Sequence, residues 1–232
     1  MHNLPESCFP PEIRNLFVSL GRVGFFERSV LIGSWVMPVY QVHRGIRYAL
    51  RTTDIDFAVS LAHPRARMRA DLERIITDLG FTNFISTEGI QKFSAGGYEV
   101  EFLAHRPGGK DTGTTAVKEW NINAQSLPFI NILIDFAEET GLDGTTIRFP
   151  LPEAFFLQKL IVSPKRASEG KRRKDLEQCA ILAPVLDDAV LQRLVQVQRF
   201  SRETKRYIAA SCGSIGFPLQ RLGIFISVEE KR

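Results

Sequence analysis

This sequence of 232 residues has few of the features that mark secreted, membrane-spanning or zinc-binding proteins. Its three cysteines, Cys8, Cys179 and Cys212, are too scattered for a disulfide framework or a zinc site. No apolar run approaches the roughly 20 residues that a membrane span needs. The first residues also lack the basic start and apolar core of a signal peptide. We therefore expect a cytoplasmic protein without a membrane partner.

The composition is that of an ordinary globular protein, with 44% hydrophobic and 24% charged residues. The chain is long enough to bury the core of one large domain or of two small ones. A net charge of +4 and a pI near 9.1 are compatible with a phosphate-bearing partner. Many proteins without such a partner are equally basic, so charge alone does not identify one.

The pattern of apolar residues changes near residue 150. Before it, strands are predicted at residues 28–32, 54–60, 83–86, 90–94, 98–104, 129–135 and 145–150, with helices at 11–21, 34–43 and 66–79 and a loop or insertion at 105–127. Gly96-Gly97 predicts a hairpin. After residue 150, apolar stripes at helical spacing predict helices alone. We expect an α+β fold, with an α/β domain in residues 1–150 and a helical domain in residues 151–232.

Two aspartates interrupt the apolar run at residues 54–60. Because strand side chains alternate between faces, Asp54 and Asp56 are predicted to point the same way, opposite Ile55 and Phe57. Two neighbouring carboxylates in a half-buried sheet repel each other unless a cation intervenes. Oxygen ligands of this kind favour Mg²⁺ or Mn²⁺. The pattern predicts a metal site, although an acidic solvent-facing strand would look the same.

A third acid is available on the strand predicted at residues 98–104. Glu99 and Glu101 share one face of it, opposite Val100 and Phe102. If this strand lies beside the Asp54 strand, three carboxylates can hold two metal ions about 4 Å apart, which is the arrangement used for in-line phosphoryl or nucleotidyl transfer. An exposed sheet face with alternating acids is the simpler alternative.

Gly33 and Ser34 end the strand predicted at residues 28–32. A strand that turns into a helix here would present free backbone N–H groups, where a phosphate can bind. Gly33 permits close backbone approach, while the Ser34 hydroxyl can cap the following helix or contact a phosphate oxygen.

Together, "LIGSW", "RTTDIDFAV" and "VEFL" resemble the nucleotidyltransferase superfamily related to DNA polymerase β. Most of that superfamily has a shorter spacer between the Gly-Ser pair and the Asp-x-Asp pair, whereas residues 35–53 intervene here. The longer spacer, with "LPEAFFLQKLIVSPKR" and "GKRRKDLEQCAIL" after it, is similar to a bacterial branch related to the toxins of type IV abortive-infection systems. The resemblance spans about residues 28–183 and implies a nucleotidyltransferase fold whose helical half closes a nucleotide cleft.

The resemblance also implies functions for basic residues. Lys159 would bind the triphosphate, although a lysine among apolar neighbours can instead extend to solvent. Lys174 and Asp175 match the Lys-Asp pair of the branch, and Asp175 would orient a lysine or nucleophile, or form an ion pair within its helix. Arg172 extends a predicted packed stripe of Leu176, Cys179, Ala180 and Ala183. Arg51 could reach a phosphate or close its loop.

We therefore expect an enzyme that transfers a nucleotidyl group from an NTP to an acceptor hydroxyl or phosphate. Asp54, Asp56 and Glu101 would bind Mg²⁺ or Mn²⁺, and Gly33, Ser34, Arg51, Lys159, Arg172, Lys174 and Asp175 would form the nucleotide site. The sequence leaves the acceptor open among RNA, such as tRNA, a protein hydroxyl and a small molecule, and the resemblance implies a cognate antitoxin as partner. Alternatives are a catalytically silent binding or regulatory protein, an Asp-x-Asp glycosyltransferase and a metal-dependent nuclease.

Overall fold

The computed structural model describes residues 3–61, 70–105 and 113–224. Its contacts divide the chain into two compact units, one of Met1–Gly45 with Ala49–Pro150 and one of Ile46–Tyr48 with Leu151–Arg232. None of the helices in the described ranges combines the length and the apolar character that crossing a membrane requires.

The first unit is built on a mixed sheet. Its helices are α1 (Pro11–Arg22), α2 (Val36–Arg44), α3 (Leu72–Asp78) and α4 (Ile130–Asp135), and its strands are β1 (Ser29–Ile32), β2 (Asp54–Val59), β3 (Thr82–Ile85), β4 (Gln91–Ala95), β5 (Tyr98–His105), β6 (Thr114–Val117), β7 (Ile122–Leu127), β8 (Ala137–Leu142) and β9 (Thr145–Pro150). Strands β1 to β7 form one sheet with the order β1-β2-β5-β4-β3, and β7 joins β5 to β6. Strands β8 and β9 form a separate antiparallel pair.

One face of the large sheet carries the aromatic core of this unit. Phe57 on β2 and Phe102 on β5 stack with ring centroids 5.7 Å apart, and both are fully buried. Phe25 packs edge-on against both rings. Offset and edge-on aromatic pairs bury large areas in a fixed geometry, so this cluster fixes which face of β2 and β5 points inward.

The hairpin between β4 and β5 follows from its two glycines. Gly96 and Gly97 both have positive φ, 58° and 86°, as the two central residues of a type I′ turn require. Ala95 then pairs with Tyr98, and every pair further along the hairpin is fixed by the turn. The prediction of a hairpin at this position is confirmed.

Two predictions for the first unit are wrong, and one strand was not predicted. Residues 129–135 form the helix α4 because Phe129 enters it in the left-handed conformation, and a short apolar run is compatible with either structure. The predicted loop at 105–127 contains the strands β6 and β7. Residues 106–112 of the same segment lie outside the described residues. Strand β8 was not predicted, because its sequence AEETGL lacks an apolar alternation. The first part of the helix predicted at 66–79 also lies outside the described residues.

The second unit is helical, as predicted. It consists of α5 (Pro152–Val162), α6 (Glu169–Leu182), α7 (Asp188–Gln198) and α8 (Arg202–Ile215), with short 3₁₀ turns between and after them. Helix α5 is its centre, since it packs against each of the other three helices. Its residues from Pro152 to Ile161 are all buried, and most of them are apolar, with Glu153, Gln158 and Lys159 as the exceptions.

Candidate active site

The acidic side chains lie on two neighbouring parallel strands. In the register of β2 and β5, Asp54 pairs with Glu99 and Asp56 pairs with Glu101. Paired residues of adjacent strands lie on one face of a sheet, with strands about 4.8 Å apart. The four carboxylates therefore share one face, while Phe57 and its neighbours fill the other.

The start of β2 is fixed by hydrogen bonds on both sides. The Asp54 backbone N–H donates to Thr52 Oγ1 at 3.3 Å, and the Glu99 N–H donates to the Thr53 carbonyl at 3.1 Å. Asp54 and Asp56 are half-buried, whereas Ile55 between them is fully buried. The strand thus holds its aspartates at the boundary between core and solvent.

Lys92 on β4 neutralises part of this acidic face, and the sequence patterns considered above did not reveal it. Its Nζ lies 2.5 Å from Glu101 Oε1 and 3.1 Å from Glu99 Oε2. Burial by itself would lower the pKa of Lys92, but the hydrogen bonds with the two carboxylates outweigh burial and raise it above the ordinary lysine value. The hairpin could have revealed this contact, because a turn at Gly96-Gly97 places Lys92 directly opposite Glu101.

The acidic face offers the oxygen donors that suit a metal ion, but these donors do not form a complete set of ligands. Carboxylate oxygens suit Mg²⁺ and Mn²⁺, and Asp54 and Asp56 provide them on one strand. Glu101 lies beside Asp56 but directs a carboxylate oxygen to Lys92. Among the residues described, no three His, Cys, Asp or Glu side chains are arranged to hold a metal ion. Lys92 is a cation within the chain and relieves the crowding of Glu99 and Glu101 without a metal ion.

Gly33 brings the end of β1 against Asp56. It adopts φ +67°, and a Cβ built on it would lie 2.2 Å from Asp56 Oδ2. Antiparallel pairing of Ile32 with Asp56 sets this approach. The structure therefore brings Gly33 and Asp56 together, with Ser34 next to Gly33 in the same turn.

Ser34 does not cap helix α2. Residues Gly33–Trp35 form a 3₁₀ turn that runs directly into the helix, and the cap position is taken by Trp35, without a side-chain hydrogen bond. The prediction of a serine cap is wrong because the turn continues the helical backbone instead of breaking it. Ser34 is only 4% exposed. Pro38 is tolerated because it falls in the first turn of α2.

Arg51 lies apart from these contacts in the segment that leads into β2. It is exposed and belongs to no helix or strand.

The family of the chain follows from a sequence-family comparison. The family model described as "Nucleotidyltransferase" matches residues 13–199, which include β1, β2, β5 and the helices α5 and α6. The chain belongs to this family. Its mixed sheet and the helices around it are accordingly a nucleotidyltransferase fold.

Among solved structures, the chain is similar to an antigenic nucleotidyltransferase-like protein from Paracoccidioides brasiliensis. The two share 11% sequence identity, with a TM-score of 0.49 over 94% of this chain and 95% of the other. No curated protein matches the sequence.

In the helical unit, Lys159 belongs to a buried ion cluster. Its Nζ lies 2.5 Å from Asp175 Oδ1, and Arg166 Nε lies 2.7 Å from Asp175 Oδ2. Burial by itself would raise the pKa of Asp175, but Lys159 and Arg166 outweigh it and hold the pKa below its usual value. Lys159 is only 6% exposed. This burial disagrees with the expected role of Lys159 as a triphosphate ligand and with its alternative extension into solvent.

Asp175 therefore orients a lysine, as one of its expected roles required, rather than pairing within its own helix. Its two partners come from α5 and from the segment before α6, so the cluster joins separate parts of the helical unit. The Cys179 thiol donates to the Phe156 carbonyl at 3.7 Å on the same contact between α5 and α6.

The predicted packed stripe of α6 is partly wrong. The buried residues are Asp175, Gln178, Cys179 and Leu182, while Ala180 is exposed. Burial of polar residues is possible here because Asp175 is paired with cations and Gln178 Nε2 donates to the Tyr48 hydroxyl at 3.0 Å.

Two predicted basic ligands lie at the N-terminal end of α6. Arg172 precedes Asp175 by three residues, and its side chain is 43% exposed, so it does not continue the buried face of the helix. It lies 3.7 Å from Glu169. Lys174 is half-buried, whereas Lys171 and Arg173 are exposed.

Proposed function

We propose that this protein is a divalent-metal-dependent nucleotidyltransferase that transfers a nucleotidyl group from an NTP to an acceptor hydroxyl or phosphate. The observation that carries the proposal is the parallel register of β2 and β5, which sets Asp56 beside Glu101 and Asp54 beside Glu99. The contact of Asp56 with Gly33 adds a backbone turn to the same site. Family membership supports the same reaction class.

Asp54 and Asp56 are the residues that would hold Mg²⁺ or Mn²⁺. Both offer carboxylate oxygens from one face of β2, the donor type that these ions prefer. A divalent ion bound there would neutralise triphosphate charge and favour departure of pyrophosphate.

The remaining roles belong to side chains and backbone at the same end of the sheet. The N–H groups of the Gly33–Trp35 turn would bind phosphate oxygens, with the Ser34 hydroxyl beside them. The acceptor oxygen would attack the α-phosphorus as the bond to pyrophosphate breaks, and the Glu101 carboxylate would accept the acceptor proton. Arg51, Arg172 and Lys174 remain proposed nucleotide ligands on the strength of the resemblance.

The charge of the helical unit favours a polyanionic acceptor such as RNA. Residues 151–232 contain 15 Lys and Arg against 9 Asp and Glu, whereas residues 1–150 contain 15 against 17. Lys165, in the turn after α5, has its Nζ 4.6 Å from the centroid of the Tyr207 ring. Tyr207 lies on α8, directly after the exposed cations Lys205 and Arg206. Clustered cations with an aromatic ring among them suit a nucleic acid backbone. A toxin-like role with an antitoxin partner rests on the resemblance alone.

A second candidate is a catalytically silent nucleotidyltransferase fold that binds or regulates a partner. The observation that favours it is the ion pair of Glu101 with Lys92, which occupies an oxygen of the carboxylate that would serve the reaction. The glycosyltransferase and nuclease alternatives gain no support from the family match.

The test is nucleotidyl transfer by the purified chain. Each α-labelled NTP is incubated with Mg²⁺ or Mn²⁺ and with RNA, protein or small acceptors. We expect labelled product and pyrophosphate, loss of both with a chelator, and a fall of at least about 10²-fold for Asp56→Asn. Asp78→Asn is the matched control, since that carboxylate is 71% exposed on α3. Tight NTP binding without turnover would favour the silent alternative instead.

A further inference from the structure

The acidic face contains its own fixed cation. Lys92 lies on β4 and contacts both Glu99 and Glu101 of β5, with its side chain 21% exposed and that of Glu101 17% exposed. Its position is set by the hairpin register and not by a flexible loop. An ammonium group held between two carboxylates in a half-buried site is less screened than one on an open surface.

The charges of the three central strands show what this cation does. In β2, β4 and β5, four carboxylates share one face with Lys92, so this part of the sheet has a charge of −3. One divalent ion would leave it at −1, and two would leave it at +1 before a nucleotide arrives, so a second ion would bring more positive charge than these strands carry negative charge. Without Lys92, the same four carboxylates would match two divalent ions.

The geometry separates Glu101 from the two aspartates. The Glu101 oxygen at 2.5 Å from Lys92 Nζ has an ion-pair partner, and the second ion of a two-metal site would need that carboxylate. Asp54 and Asp56 lie on the neighbouring strand, so a first ion on β2 needs no change at Lys92.

We propose that Lys92 takes the place of the second divalent ion, so that this site holds a single divalent ion on Asp54 and Asp56. The proposal rests on the proposed function, since it describes how the same site is charged for a triphosphate. Lys92 is a positioning residue: it fixes Glu101 beside Asp56 and supplies positive charge that a second ion would otherwise bring.

The experiment counts bound ions directly and does not depend on turnover. The full-length chain is titrated with Mn²⁺ in the presence of a non-hydrolysable NTP analogue, and free Mn²⁺ is measured by electron paramagnetic resonance. The variants are Lys92→Met, which removes the charge but keeps the chain length, and Lys92→Arg, which keeps the charge. We expect one ion per chain beyond those bound to free analogue in the wild type, one in Lys92→Arg and two in Lys92→Met.

Each outcome has a definite meaning. Two ions in the wild type, or one in a folded Lys92→Met variant, would overturn the role of Lys92 and leave the proposed function intact. No ion in the wild type would overturn both. If Lys92→Met does not fold, the wild-type count still decides, because a two-ion site contradicts the proposal without any variant. Asp56→Asn identifies the ion that is counted, since it should lower the affinity for that ion by about tenfold or more.

Discussion

The Asp56 carboxylate occupies the space that a side chain on Gly33 would need. A Cβ on Gly33 would lie 2.2 Å from Asp56 Oδ2, and the residue also has φ +67°. Gly45 has the same φ of +67°, but nothing lies within 4 Å of its Cβ position. The two glycines share a backbone conformation and differ in their surroundings, so they separate backbone strain from collision.

We predict that Gly33→Ala impairs both folding and reaction, whereas Gly45→Ala affects folding alone. Each should lose about 1–2 kcal/mol from the left-handed backbone, and Gly33→Ala should lose more because Asp56 must move. Displacing Asp56 should slow nucleotidyl transfer by about 10²-fold. Denaturant unfolding and pyrophosphate release measure the two effects. Equal losses of stability and full activity in both variants would contradict the contact.

The local parts of the fold were predictable because local chemistry determines them. Pro11 begins α1, and paired glycines close the β4–β5 hairpin. Helix α4 was not predictable, because the segment FINILID suits a strand or a buried helix equally and tertiary packing decides between them. The β8–β9 hairpin has a local signal in the dipeptide Asp143-Gly144, whose φ values of 48° and 75° fit a type I′ turn.

The candidate site was predictable in its acids and not in its cation. Alternation along each strand placed Asp54 with Asp56 and Glu99 with Glu101, which needs only the period of a strand, whereas the pairing of the two strands is a tertiary contact. Lys92 required combining the hairpin turn with the register beyond it. The pairing of Lys159 with Asp175 joins residues from two helices, and neither residue reveals its partner through spacing along the chain.

Asp71 provides a pH-dependent contribution to stability. It caps α3 by accepting from the Arg74 N–H at 3.1 Å, and this bond, together with one from Asn121, lowers its pKa from 3.8 in the folded state. A lowered folded-state pKa means that the stabilisation is complete above 3.8 and is lost as the pH falls through the lower value. We predict that wild type exceeds Asp71→Asn in unfolding free energy by about 0.5 kcal/mol at neutral pH. This difference should vanish in acid.

Urea unfolding of the two proteins between neutral pH and acid measures that difference. Ser201→Ala is the control, because Ser201 caps α8 through an uncharged hydroxyl. Its cost, about 1 kcal/mol, should not change with pH. A wild-type advantage over Asp71→Asn that grows in acid would contradict the lowered pKa of the Asp71 carboxyl.

The three thiols should be unreactive in the folded protein. Burial raises the pKa of Cys8 and of Cys212 to about 12, and it raises the pKa of Cys179 well above its ordinary value. A thiol with that pKa is ionised in only about one molecule in 10⁴ at pH 8, and the thiolate is the reacting form. We predict slow labelling by a disulfide reagent, with all three thiols exposed by denaturant. An Asp78→Cys variant supplies an exposed thiol for comparison, and a native cysteine that reacts equally fast would refute the prediction.

The buried ion cluster of the helical unit should depend strongly on Asp175. Its side chain is 1% exposed and holds Lys159, whose side chain is 7% exposed, whereas that of Arg166 is 37% exposed. Asp175→Asn leaves an ammonium group buried without its counter-charge, so we predict a loss of about 3–5 kcal/mol in unfolding free energy. Arg166→Gln leaves the buried pair intact and should lose about 1 kcal/mol or less.

Helical circular dichroism during denaturant unfolding measures both losses. The double variant Lys159→Met with Asp175→Leu tests the cause, because it removes both charges and fills the space with apolar atoms. It should regain most of the stability that Asp175→Asn loses, since an apolar replacement of a buried pair is often neutral. If the double variant is as unstable as Asp175→Asn, or if Arg166→Gln is equally damaging, the unpaired Lys159 charge is not the cause, and the cluster contributes through its geometry instead.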